Sequence, residues 1–191
     1  KLNECKNYQV QMKTKSFITS EKENYIYWGN RMEIGAGPIQ MLRVMRTKAM
    51  MEYPSKEKYT KILMGNINTK CIVFANTQAQ ADRLSQDSYH SGNKDSEENL
   101  LMFKSGEITK LSTVLQLNEG VNIPNLRQGI IMHAYGNERK STQRIGRLLR
   151  LNPKEKAIVH VLCYEDTVDY TWVTTALEGF DESKIKYVKK V

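Results

Sequence analysis

The chain has 191 residues, is 40% hydrophobic and carries a formal net charge of +8. That length accommodates one α/β domain plus an appendage, and no apolar run is long enough to cross a membrane as a helix. No signal peptide is visible, Lys1 in place of Met points to a fragment of a longer chain, and Cys5, Cys71 and Cys163 match no zinc spacing, so free thiols in a reducing cytoplasm are expected.

The charge is unevenly placed. Up to Asn66 there are 12 Lys/Arg against 6 Asp/Glu, a balance of +6, which leaves +2 for the rest. A basic arm on a nearly neutral domain fits an anionic partner such as nucleic acid, and fits a solvated helical surface equally well. Within that arm, residues 8–19 (YQVQMKTKSFIT) alternate loosely and predict a strand. IQMLRVMRTKAMMEY then sets Ile39, Leu42, Met45, Met50 and Met51 at helical spacing, with the methionines read as packing residues. A second helix, SKEKYTKILMGN, is expected to start from Ser55 as its N-cap.

From Thr69 onward strands and helices alternate. KCIVFAN (70–76) is a short apolar β-type run, TQAQADRLSQ a helix, and DSYHSG a brief strand ending in a turn. DSEENLLMFKSG reads as a helix, with acids in its first turn and Gly106 after its end. KLSTVLQL (110–117), QGIIMHA (128–134) and KAIVHVLC (156–163) are three further apolar strands, and DTVDYTWVTTALEG is a closing helix. Apolar strands separated by helices predict an α/β fold with a doubly wound, mostly parallel sheet over residues 67–191, preceded by an arm and helical linker over 1–66.

In such sheets ligands meet the loops at the carboxyl ends of the strands. Asn76 and Thr77 stand at one strand-to-helix junction, where an amide, a hydroxyl and helix N–H groups suit a phosphate, although on this loop alone ordinary N-capping is the favoured explanation. A second loop, Glu119-Gly120-Val121-Asn122-Ile123-Pro124, by itself reads only as a turn. The third feature is STQRIGRLLR (141–150). On a helix at about 100° per residue, Arg144, Arg147 and Arg150 fall on one arc and Ile145, Leu148 and Leu149 on the other. No matched row of acids stands beside these arginines, and their planar forks suit phosphate oxygens.

The order KCIVFANTQAQADRL, YHSG, STVLQLNEGVNIPNL, STQRIGRLLR resembles the second RecA-like domain of superfamily 2 helicases and translocases, where these stretches are motifs IV, IVa, V and VI. Gln143 resembles the DExH-type branch, and the arm resembles the linker entering this domain in phage and bacterial helicases. The resemblance implies ATP hydrolysis with Mg²⁺ in a cleft shared with a first RecA-like domain. Arg147 and Arg150 then match arginine fingers for the γ-phosphate, and Gln143, Arg144, Gly120 and Asn122 match positions near the nucleotide. Asn122 stands where the family frequently has Asp. Asn76, Thr77, Ser91 and Gly92 match contacts to the nucleic-acid backbone, with DNA favoured as the strand, and Thr113 is the nearest candidate for the motif V hydroxyl.

No G-x-x-x-x-G-K-[ST] and no D-E-x-H or D-E-x-D occurs. The chain is therefore expected to hold half of an ATPase site, neither hydrolysing ATP nor binding it tightly alone. No metal site is expected. His133 and His160 read as strand positions, while His90, beside Ser91-Gly92, is placed to approach a nucleic-acid strand. Trp28 and Trp172 read as packing residues. Alternatives are a stand-alone basic nucleic-acid-binding α/β domain, with the arginines on the strand itself, or the motor part of a restriction system.

Overall fold

A computed structural model describes residues 1–114, 123–134 and 157–189. The arm begins with a hairpin of β1 (Lys6–Gln11) and β2 (Ser16–Ser20), paired antiparallel. The loosely alternating stretch that reads as a single strand thus folds back on itself. Its turn is closed by the Met12 N–H donating to the Lys15 carbonyl at 2.8 Å.

Helix α1 (Glu21–Glu33) follows, and the apolar spacing gave no sign of it. Tyr25, Ile26, Tyr27 and Trp28 are consecutive, so they circle the helix and leave no stripe at its period. The available signal was the cap. Glu23 N–H donates to Ser20 Oγ at 3.0 Å and Ser20 N–H donates to Glu23 Oε2 at 3.1 Å, a reciprocal capping box written as S-x-x-E.

Two more helices complete the arm, α2 (Ile39–Met51) and α3 (Pro54–Asn66). Helix α3 starts two residues earlier than expected, with Tyr53 as N-cap and Pro54 in its first turn, where a missing N–H costs nothing. Ser55 does not cap it. Its N–H and hydroxyl both donate to the Glu21 carboxylate, at 2.8 and 2.6 Å.

The second half is one five-stranded sheet in the order β4-β5-β3-β6-β7, parallel throughout. Its strands are β3 (Cys71–Ala75), β4 (Ser88–Tyr89), β5 (Lys110–Val114), β6 (Gln128–Ile131) and β7 (Ile158–Val161). Helices α4 (Gln78–Leu84) and α5 (Ser96–Ser105) lie among them in sequence, and α6 (Val168–Leu177) follows β7. Gly106 ends α5 at φ 93°, the left-handed position expected of it.

Central β3 is buried along its whole length, and its period of two divides the core. Ile72 and Phe74 meet Leu100 and Phe103 of α5, with Leu111, Ile123 and Ile131, on one face. Cys71, Val73 and Ala75 meet Met64 of α3 and Ala81 and Leu84 of α4 on the other. Helices therefore cover both faces, the doubly wound α/β arrangement the apolar strands predicted. A third cluster, Met50, Tyr53 and Tyr164 with Tyr8, Tyr25 and Trp172 around it, seats the arm on the sheet domain. Trp172 is thus a packing residue, and Met50 and Met51 are buried while Met41 and Met45 stay exposed.

Candidate nucleic-acid interface

A parallel sheet brings all its strand-to-helix loops to one edge, and there β3 and β4 deliver Asn76-Thr77 and Ser91-Gly92. The two loops touch. Gln78 Nε2 donates to Ser91 Oγ at 3.1 Å, and a Cβ on Gly92 would lie 2.6 Å from Gln78 Oε1. Ser91 is an acceptor in that bond, so its own O–H remains available as a donor on an exposed loop.

Thr77 caps α4, its Oγ1 accepting from Gln80 N–H at 3.2 Å. The Asn76 N–H donates to Gln80 Oε1 at 2.8 Å, and buried Gln80 reaches on to the Met51 carbonyl at 3.1 Å. Two main-chain donors that could have met a phosphate are thereby used inside the protein, and the capping role of Thr77 is realised. Glu52, whose carboxylate lies 3.5 Å from Thr77 Oγ1, is answered by Arg83, which also holds Glu57 at 2.9 Å.

His90 is the residue whose role the sequence hid. It is buried, so it does not reach outward to a strand; it organises the loop from below. Its Nδ1 accepts the Gly92 N–H at 3.2 Å, which puts the ring proton on Nε2, 2.8 Å from Asp82 Oδ1 on α4. Hydrogen bonds from Ser88 and then His90 hold the Asp82 carboxyl below its usual range. His90 also exchanges bonds with Ser96, its N–H donating to Ser96 Oγ at 3.0 Å and its carbonyl accepting from that hydroxyl at 2.7 Å. No spacing rule announces this hub, because Asp82 and His90 belong to different elements. Around it opens a shallow cavity of about 320 Å³ lined by Tyr89, His90, Ser91, Asn93, Lys94 and Glu97.

Thr113 is fully buried, and its hydroxyl donates to the Tyr89 carbonyl at 2.9 Å. In this arrangement it offers nothing to a ligand. Gly120, Asn122, Gln143, Arg144, Arg147 and Arg150 lie outside the described residues. Among the described residues no cluster of three or more His, Cys, Asp or Glu could hold a metal ion, and no helix is long and apolar enough to cross a membrane.

Residues 55–152 match the helicase conserved C-terminal domain. The chain belongs to this helicase C-terminal family. A curated relative, the DNA 3'-5' translocase XPB2 of Sulfurisphaera tokodaii, is 32% identical over 120 residues, which is 60% of this chain and 27% of the relative. The chain thus spans about a quarter of that relative's length. Among solved structures, the C-terminal domain of the DEAD-box protein Dbp5 superposes with a TM-score of 0.55 at 17% identity, covering 68% of this chain and 80% of that one. S. cerevisiae Dbp5 bound to RNA and ADP BeF3 gives 0.54 at 18% identity, covering 64% and 35%. These last two likenesses concern the fold: the sheet and its flanking helices are those of a RecA-like helicase C-terminal domain.

Proposed function

We propose that residues 67–191 are the second motor lobe of an ATP-driven nucleic-acid translocase or helicase, entered through the linker of residues 1–66 from a first RecA-like domain. DNA is the favoured strand, because a curated relative at 32% identity is a DNA translocase. The observation that carries the reading is the contact between the Asn76-Thr77 and Ser91-Gly92 loops at the carboxyl edge of the sheet, through Gln78 and Ser91. It makes one exposed surface of two motifs that are separate in sequence. Ser91 O–H and nearby Lys94 fit a phosphodiester backbone, a contact that grips without reading sequence.

ATP and Mg²⁺ belong mainly to the first lobe in this reading. Arg147 and Arg150 supply the cations that answer charge developing on the γ-phosphate, with Gln143, Arg144, Gly120 and Asn122 near the nucleotide. The fragment alone then hydrolyses no ATP. Arg147→Ala decides between this reading and a stand-alone basic nucleic-acid binder. As a finger, Arg147 is dispensable for strand binding by the fragment but necessary for ATPase activity in the full-length protein. A marked loss of strand affinity in the Arg147→Ala fragment would instead place the arginines on nucleic acid and overturn the motor reading, as would ATP turnover by the pure wild-type fragment.

A further inference from the structure

Two further buried charges of the described molecule lie along that same edge, past the carboxyl ends of β6 and β7. Lys56 of α3 is 5% exposed and Asp169, in the first turn of α6, is 0% exposed. Lys56 Nζ donates to Asp169 Oδ2 at 2.6 Å and to His133 Nδ1 at 3.3 Å, and it lies 4.9 Å from the Tyr164 ring centre. Asp169 Oδ2 also accepts the Tyr164 N–H at 2.9 Å, whereas Oδ1 is buried without a hydrogen-bond partner among the described residues. A fully desolvated pair with an unanswered oxygen is a poor device for stability alone, since apolar side chains of the same volume often do as well or better.

Its placement is more informative. Lys56 belongs to the last helix of the arm, His133 follows the end of β6, and Asp169 opens α6. The neighbouring Ser55 ties the same spot to Glu21 of α1 and, at 2.9 Å, to the Tyr164 hydroxyl. From His133 the chain runs on to Gln143, Arg144, Arg147 and Arg150.

We propose that Lys56 is a positioning residue for ATP hydrolysis, locking the linker helix α3 through Asp169 and His133 to the exit of β6 and so to the root of the arginine-bearing segment. The inference rests on the motor reading above. A displacement of about 1 Å in a group that must meet a transition state lowers turnover by roughly 100-fold, and a root held by directional bonds to a charge resists such displacement better than an apolar contact does.

The test uses the full-length protein with nucleic-acid-stimulated ATPase as the readout. In the double variant Lys56→Met/Asp169→Leu the melting temperature should stay close to wild type, while kcat falls roughly 10- to 100-fold with KM for ATP and strand affinity unchanged. Lys56→Arg, which keeps the charge and the reach, should retain most of kcat. A folded double variant with wild-type kcat overturns the inference. So does a double variant that fails to fold, because the pair is then simply required by the structure. If wild-type protein itself shows no nucleic-acid-stimulated ATPase, the motor reading has failed, a result distinct from either of these.

Discussion

Glu21→Gln should loosen the arm itself, where Glu21 ties the N-terminal hairpin and α1 to the start of α3, without touching any functional loop. Glu21 is completely buried, and four donors converge on its two oxygens. Oε2 accepts from Asn3 N–H at 3.1 Å and Ser55 Oγ at 2.6 Å; Oε1 accepts from Asn7 Nδ2 at 3.1 Å and Ser55 N–H at 2.8 Å. An amide in this place has one acceptor oxygen, and its NH₂ must face one of these two pairs of donors. With the nitrogen at the Oε2 position, Ser55 can turn its proton towards Tyr164, but the Asn3 N–H loses its acceptor. With the nitrogen at Oε1, both Asn7 and the Ser55 N–H lose theirs.

The milder arrangement forfeits about two hydrogen bonds to a charged acceptor. At ~1.5–3 kcal/mol each the loss is about 3 kcal/mol, or more if the donors stay buried and unmet. For a chain of this size each kcal/mol moves the melting temperature by roughly 2–4 °C, so a fall of roughly 6–12 °C is expected by calorimetry or circular dichroism. Urea titration should give the same loss as a lower midpoint. A change below about 1 kcal/mol would refute the reasoning, because it would mean that the converging donors find water as readily as the carboxylate.

Gly92→Ala pushes a methyl to 2.6 Å from the far end of the flexible Gln78 side chain, so the fold should lose less than about 1 kcal/mol while the Gln78–Ser91 bond breaks. Strand affinity of the fragment, read by fluorescence anisotropy, should drop roughly 3- to 10-fold; unchanged affinity would remove this loop from the interface. Asp82 titrates below its usual range when folded, so its contribution to stability is present above the unfolded value of about 3.9 and is lost as pH falls through the folded value. The stability gap between wild type and Asp82→Asn, measured by urea unfolding, should therefore close on going from pH 7 towards pH 3, and a gap that widens would contradict the assignment. Burial pushes the Cys71 thiol up to about 12, whereas Cys5 is exposed. Iodoacetamide at pH 8 should label Cys5 in the native protein and reach Cys71 only after denaturation, as mass spectrometry of the peptides will show.

Much of the fold was legible because its signals are local. Cys71–Ala75, Lys110–Val114 and Gln128–Ile131 are short apolar runs, and their burial on both faces of a parallel sheet is what such runs mean. Thr77 and Gly106 act at helix ends where their chemistry placed them. The arm was read less well. Its hairpin needs a turn at 12–15 with no Gly or Pro to mark it, and α1 spreads its aromatic residues around its circumference. The Ser20–Glu23 capping box, S-x-x-E, was the local mark of that helix in the sequence.

The sequence alone determined the α/β sheet and the family, since each depends on neighbours within a few positions or on the order of short segments. The tertiary structure alone decided where polar side chains spend their hydrogen bonds. Ser55 looked like a cap and serves Glu21, 34 residues away. His90 looked like a strand contact and instead holds Gly92 to Asp82. Lys56 looked like one more charge on a basic arm, yet it is buried against Asp169, 113 residues along the chain. Hydrogen bonds and ion pairs of this kind depend on angles and distances between elements that no residue spacing encodes, and they form only once packing has brought their partners together.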